Sequence, residues 1–281
     1  MAMKFQLQTA AGQPYDAYAY TGGKAFDATK PTVVFIHGVL NDHSVWILQS
    51  RYFAHHGFNV LAVDLPGHCR SGGDAPASVE EAAQFIEALL DAAGIDKAAL
   101  VGHSWGSLIA LETAARLKNR ITHLALVGTA FPMKVSPALI DASLNAPMKA
   151  LQMVNVFSRA TLAAPPSALG PGTWVYGASM ALGRRVLASN TAVNVFHRGF
   201  VACDSYANGL AAMDAVTCPI LFLLGASDQM TTPKAAKPLI EQAKAGGKTY
   251  SVVNVPMGHH QMSESPEETL QALKTFLGVT A

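Results

Sequence analysis

The stretch Gly102-His103-Ser104-Trp105-Gly106 holds a serine between two glycines, with an apolar run, Ala98–Val101, before it and a helical pattern over 108–117 after it. The glycines stand where a strand must turn sharply into a helix. That turn lifts the Ser104 hydroxyl clear of a sheet and sets it beside the N-terminus of the following helix, ready to attack a carbonyl carbon. The pentapeptide alone also fits a helix-capping serine between chance glycines, but the flanking strand and helix favour the nucleophile. A serine hydroxyl is a weak nucleophile at neutral pH, so it needs an imidazole to take its proton and a carboxylate to hold that imidazole. Two further stretches offer such groups: Gly225-Ala226-Ser227-Asp228, and Gly258 followed by His259 and His260.

These residues must be delivered by a scaffold, and short apolar runs supply one. Thr32–Ile36, Asn59–Val63, Ala98–Val101, Leu124–Val127, Ile220–Leu224 and Tyr250–Val255 are nearly continuous in apolar and β-branched residues. Strands covered on both faces have that character, which implies a parallel sheet. An opening of alternating character covers Lys4–Gln8 and Tyr15–Tyr20, and helical patterns fall over 78–93, 108–117 and 264–277. Strand and helix in alternation predict a doubly wound, mostly parallel α/β sheet. The rhythm breaks between Phe131 and Met213, where Pro132, Pro137, Pro147, Pro165, Pro166 and Pro171 punctuate short amphipathic pieces. This predicts a helical cap over 131–213 inserted into a core of 1–130 and 214–281. The cap's Met133, Met148, Met153, Phe157, Trp174, Tyr176, Met180 and Phe196 form either its own packing or a greasy underside.

Besides the Ser104 elbow, four landmarks in register give the chain a resemblance to the α/β-hydrolase family: His37-Gly38-Val39, Asp64-Leu65-Pro66-Gly67-His68, Gly225–Asp228 and Gly258-His259. The family's order of nucleophile, acid and histidine is kept. The resemblance implies Asp228 as the acid. The alternative family position, after the run ending at Val127, offers only Gly128, Thr129 and Ala130. It implies His259 rather than His260 as the base, because the family places that histidine directly after a glycine, with an acid and then a proline at the spacing of Glu264 and Pro266. It implies an oxyanion hole from the backbone N–H groups of Val39 and Trp105, with His37, Gly38, Gly102 and Gly106 in support. Where this chain has Cys69, the family usually has glycine. Leu40, Trp105, Phe131, Met133, Met230 and Met262 neighbour the landmarks and are expected to line the substrate pocket, although each also fits ordinary core.

The implied activity is hydrolysis of a small-to-medium carboxylic ester through an acyl-enzyme, with no metal or cofactor. Haloalkane dehalogenases and epoxide hydrolases carry aspartate at the elbow, so Ser104 excludes them. A proline-type aminopeptidase, a carbon–carbon bond hydrolase and a receptor-like member with little turnover remain alternatives. Against the aminopeptidase stands His37-Gly38-Val39-Leu40-Asn41, which departs from the usual His-Gly-Gly-Pro-Gly, and a cap poor in acids beyond Asp141 and Asp204.

Composition agrees. Of 281 residues, 50% are hydrophobic and 14% charged, which predicts a globular chain, and a net charge of +1 without long charge runs gives no footprint for nucleic acid. No stretch reaches the roughly 18 apolar residues of a membrane span. The three cysteines are widely spaced and no signal-like segment opens the sequence, so a cytoplasmic location is expected. An apolar cap would also suit a homodimer surface.

Overall fold

Successive side chains of a strand point to opposite faces, so apolar runs of this kind need cover on both sides. The computed structural model describes residues 1–161 and 173–279, and Pro165, Pro166 and Pro171 lie outside the described residues. Its strands are β1 (Ala2–Gln8), β2 (Pro14–Tyr20), β3 (Thr32–Ile36), β4 (Asn59–Val63), β5 (Ala98–His103), β6 (Ile121–Val127), β7 (Ile220–Gly225) and β8 (Tyr250–Val255). They form one 8-stranded sheet in the order β1-β2-β4-β3-β5-β6-β7-β8. The alternating opening becomes an antiparallel hairpin, β1 with β2, which joins β4 antiparallel; all other pairings are parallel.

The helices are α1 (Ile47–His55), α2 (Val79–Ala92), α3 (Trp105–Leu117), α4 (Pro137–Asn145), α5 (Pro147–Phe157) and α6 (Val175–Ala188). They continue with α7 (Val195–Ser205), α8 (Gly209–Ala215), α9 (Lys237–Ala245), α10 (Gln261–Glu264) and α11 (Pro266–Leu277). Cover follows the strand alternation. Val34, Ile36, Leu61, Val63, Leu100, Leu124 and Leu126 pack with α2, α3, α8 and α9 on one face. The intervening Val33, Phe35, Val60, Ala62, Val101, Ala125 and Val127 pack with Phe53 of α1 and with Leu273 and Leu277 of α11 on the other. This is the doubly wound arrangement.

Some elements differ from expectation for local reasons. Helix α3 begins at Trp105, directly on the elbow. The pattern over 264–277 divides into α10 and α11 at Ser265 (φ −132°, ψ 61°), because the ring of Pro266 disfavours a helical conformation in the residue before it. Edge strand β8 exposes Ser251, Val252 and Asn254, so it is only partly covered. Helix α1 has no matching apolar pattern: Ile47 and Leu48 are exposed while Gln49 and Ser50 are buried, with Gln49 Nε2 donating to the Met262 carbonyl at 3.1 Å.

Leu139, Leu151, Met180, Val186, Phe196 and Phe200, all between β6 and β7, form an apolar cluster with Leu40 of the loop after β3. Polar ties link this segment to the rest of the chain. Arg185 Nη2 lies 2.6 Å from Asp42 Oδ2, Arg198 Nη1 donates to the Ala75 carbonyl at 2.7 Å, and the Tyr206 hydroxyl donates to Glu112 at 2.8 Å. The expected boundary at 213/214 falls inside α8, whose Ala212 and Met213 are buried against α3 in the main core. Among the described residues no helix is long and apolar enough to cross a membrane.

Candidate active site

Parallel strands bring their carboxyl ends to one edge of the sheet, and the crevice opens where the winding direction reverses. Here that point is β3, with β4 on one side and β5 on the other. Ile36 of β3 pairs with Gly102 of β5, so the loop that starts at His37 and the elbow at Ser104 leave the sheet side by side. Ser104 has φ 54° and ψ −121°, a sparsely populated conformation costing on the order of 1–3 kcal/mol. Close backbone approach explains both glycines. A Cβ at Gly102 would fall 2.0 Å from the Gly106 carbonyl oxygen, and one at Gly106 would fall 2.4 Å from that of Ile36.

Asp228 and His259 come from the loops after β7 and β8, neighbouring strands. His259 Nδ1 is 2.8 Å from Asp228 Oδ2. The other carboxylate oxygen, Oδ1, accepts from the backbone N–H groups of Met230 at 2.8 Å and Thr231 at 2.9 Å, an Asx-type turn that fixes the acid. Burial alone would raise the Asp228 pKa, but the neighbouring His259 charge and the bonds from His259 and Thr231 outweigh it and hold the carboxyl below its ordinary range.

Three further residues, not singled out in the sequence, support this pair. Thr231 Oγ1 lies 2.8 Å from Asp228 Oδ2 and 2.8 Å from the Gly128 carbonyl, and Gln261 Nε2 lies 3.4 Å from Asp228 Oδ2. The spacing Asp228-x-x-Thr231 carries the signal for the first, since an aspartate caps the two N–H groups that follow it. His103 Nε2 donates to the His259 carbonyl at 2.7 Å, and burial pushes the pKa of this imidazole down to about 3, so it acts as a neutral donor. His260 sits elsewhere: its N–H donates to Glu264 Oε2 at 3.1 Å and its ring lines a neighbouring cavity.

His37 is buried and its tautomer follows from its partners. Nε2 accepts from the Leu65 N–H at 3.1 Å, so Nδ1 carries the proton and donates to the Gly38 carbonyl at 2.8 Å. That bridges the loops after β3 and β4. A Cβ at Gly38 would lie 3.0 Å from the Cβ of Ser104, so the loop packs directly on the elbow. Trp105 is the first residue of α3, where an N–H has no acceptor within the helix.

Ser104 and His259 line one cavity of about 280 Å³, together with Val39, Met133 and Met230. Met153 and Phe157 of α5, Leu139 of α4 and Phe200 of α7 complete its apolar wall. Met153 and Phe157 are among the residues expected for a cap underside, whereas Leu139 and Phe200, remote in sequence from the landmarks, carried no signal. Leu40 and Met262 line the neighbouring cavity instead, and Phe131 packs against Tyr206 in the main core, ring centroids 6.0 Å apart. Of the other apolar residues between β6 and β7, Met180 and Phe196 belong to the cluster around Leu40 while Met148 and Trp174 are exposed.

Asp42, His43 and Asp64 lie close enough together to hold a metal ion. Their oxygens are already engaged: Asp64 Oδ1 with the N–H and Nδ1 of His43, Asp42 with Ser44 and Arg185. Cys69 adopts φ 46°, the left-handed region that explains a glycine preference at this position. Burial, reinforced by Asp42 and Asp64, pushes its thiol up to about 12, away from the range of a reactive cysteine.

A family model described as alpha/beta hydrolase fold matches residues 31–266. The chain belongs to the α/β-hydrolase family. This α/β-hydrolase is 23% identical over 259 residues, 88% of the chain and 90% of the relative, to the (E)-2-((N-methylformamido)methylene)succinate hydrolase of Acinetobacter baylyi. A shorter match to the dihydrolipoyllysine-residue acetyltransferase component of the acetoin cleaving system of Cupriavidus necator is 36% identical over 111 residues, 39% of this chain and 28% of that relative. The chain spans less than half the length of the curated relatives it matches over such short stretches. Among solved structures, an esterase from Exiguobacterium antarcticum superposes with TM-score 0.79 at 18% identity, covering 98% of this chain and 100% of the other, a likeness of fold.

Proposed function

We propose that this α/β-hydrolase cleaves small-to-medium carboxylic esters through a serine acyl-enzyme. One observation carries the reading. Ser104, held at positive φ on the N-terminus of α3, shares a cavity with His259, whose Nδ1 is bonded to Asp228. In the reaction, Ser104 Oγ attacks the ester carbonyl as its proton passes to His259 Nε2, and the carbonyl oxygen becomes an oxyanion facing the N–H groups of Val39 and Trp105. Collapse breaks the bond to the alcohol, which leaves with the proton from His259. Water then gives a proton to the same nitrogen and adds to the acyl carbon; collapse breaks the bond to Ser104 Oγ, which takes that proton back from His259 as the acid is released.

No step calls for a cofactor or metal. The cap reading over 131–213 gains support from Met133, Leu139, Met153, Phe157 and Phe200, which wall the Ser104 cavity. An aminopeptidase would need a carboxylate there for the substrate's ammonium. Among the described residues lining the cavity there is none; Asp204 instead accepts from the Val135 N–H at 3.0 Å, and Asp141 from Asn145 Nδ2 at 2.8 Å. Three free cysteines suit a reducing compartment such as the cytoplasm.

The test is turnover of p-nitrophenyl esters of increasing acyl length by the wild type and Ser104→Ala. Repeated turnover by the wild type and a loss of about 10³-fold or more in kcat for Ser104→Ala is the expected result. Absence of turnover in the wild type, or full activity in the variant, would overturn the assignment.

A further inference from the structure

A second cavity of about 260 Å³ lies beside the one that holds Ser104, and Val39 lines both. Helix α5 serves both as well: Met153 and Phe157 face the Ser104 cavity, and Leu151, Val154 and Asn155 face the second. The wall of this second cavity includes many apolar side chains, yet Arg159 stands in it.

The guanidinium of Arg159 is underused. Its Nη2 donates to Ser179 Oγ at 2.7 Å, while its Nε is buried with no hydrogen-bond partner among the described residues. Among the described residues no carboxylate oxygen lies within the 4.0 Å of a salt bridge, and the sequence over 162–172 contains no aspartate or glutamate. Glu264 attracts it from further off, but the oxygens of Glu264 are engaged by the N–H groups of Ala160 at 2.9 Å and His260 at 3.1 Å. Asn155 repeats the pattern. It is buried, and among the described residues its amide Nδ2 has only the Met180 thioether at 3.1 Å, a weak acceptor. A guanidinium and an amide donor held in an apolar cavity without anionic partners are costly unless an anion completes them. A planar carboxylate fits the guanidinium fork.

We propose that this cavity is a subsite for a carboxylate at the far end of the substrate, held by Arg159 with Asn155 as a second donor. The substrate class is then an ester that carries a free carboxylate, such as a half-ester of a dicarboxylic acid. The chemistry at Ser104 rests on the ester-hydrolase reading; the binding at Arg159 does not.

The probes are N-methyl monoamides of linear dicarboxylic acids, succinate to suberate, which keep the remote carboxylate and resist hydrolysis, with the uncharged diamides as controls. Calorimetric titration of the wild type is expected to give one chain length that binds on the order of 10- to 100-fold tighter than its diamide. Arg159→Gln, with its fold checked by circular dichroism, is expected to erase that preference, and Arg159→Lys to keep part of it. Equal binding of acid and diamide, tighter binding of the diamide, no binding of either, or a preference that survives in Arg159→Gln each overturns the subsite. If Arg159→Gln does not fold, a preference that is reduced or lost in a folded Arg159→Lys supports the proposal, and an undiminished preference there contradicts it. Hydrolysis of p-nitrophenyl acetate by the wild type separates the two readings. Turnover without carboxylate preference removes the subsite alone, and preference without turnover removes the ester reading alone.

Discussion

Asp228→Asn is expected to lower kcat on an activated ester about 10⁴-fold at neutral pH, the size of effect known where a serine hydrolase triad is left with the wrong histidine tautomer. The hydrogen bonds around Asp228 dictate that outcome. Its Oδ1 accepts from the N–H groups of Met230 and Thr231, so an asparagine must keep its carbonyl oxygen there. The amide nitrogen then occupies the position of Oδ2, facing His259 Nδ1. Because that nitrogen donates, Nδ1 must accept and the imidazole proton moves to Nε2, where it blocks uptake of the Ser104 proton. The backbone turn survives, so circular dichroism should match the wild type. A loss of less than about tenfold would remove Asp228 from the proposed triad.

Stability should fall as the pH is lowered from 7 to 5, above the range in which most carboxylates titrate. His68 and His103 are buried, and burial holds their pKa values down to about 4 and about 3; His37 and His260 are also pushed below the ordinary imidazole value by burial. These imidazoles stay neutral in the fold but take up protons in the unfolded chain below about pH 6.5. The unfolded state therefore binds more protons, and stability falls as pH falls. The contribution is fully present above about pH 6.5 and is lost progressively toward pH 4 and pH 3. Between pH 7 and pH 5, His68 and His103 each account for about 2 kcal/mol of lost stability. Denaturant midpoints measured across this range should drop steeply. A midpoint that stays flat from pH 7 to pH 5 would contradict the neutral, buried state of these rings.

The strands and the elbow were legible because single physical signals control them. Continuous apolar runs mark strands covered on both faces, and Thr32–Ile36, Asn59–Val63 and Tyr250–Val255 match β3, β4 and β8 residue for residue. Glycines at 102 and 106 mark a turn whose backbone leaves no room for a Cβ. Helix α1 was not legible, since its exposed Ile47 and Leu48 and buried Gln49 and Ser50 invert the usual pattern. Pocket lining was legible only in part. Leu40 follows Val39 directly, but its φ of 60° turns it into the apolar cluster with Leu139 and Phe196, whereas Met153 and Phe200 reach the Ser104 cavity from distant helices. His103 stood inside the motif, but its role depends on the His259 carbonyl, which only the folded chain brings within 2.7 Å. Arg159 gave no signal because its meaning lies in partners it lacks.

The most direct test of a nucleophilic Ser104 is covalent labelling with a fluorophosphonate, read by intact mass and peptide mapping. The predicted result is one adduct per chain on Ser104, with labelling strongly slowed in His259→Ala. No adduct on the folded wild type, or an adduct on another residue, would contradict the account.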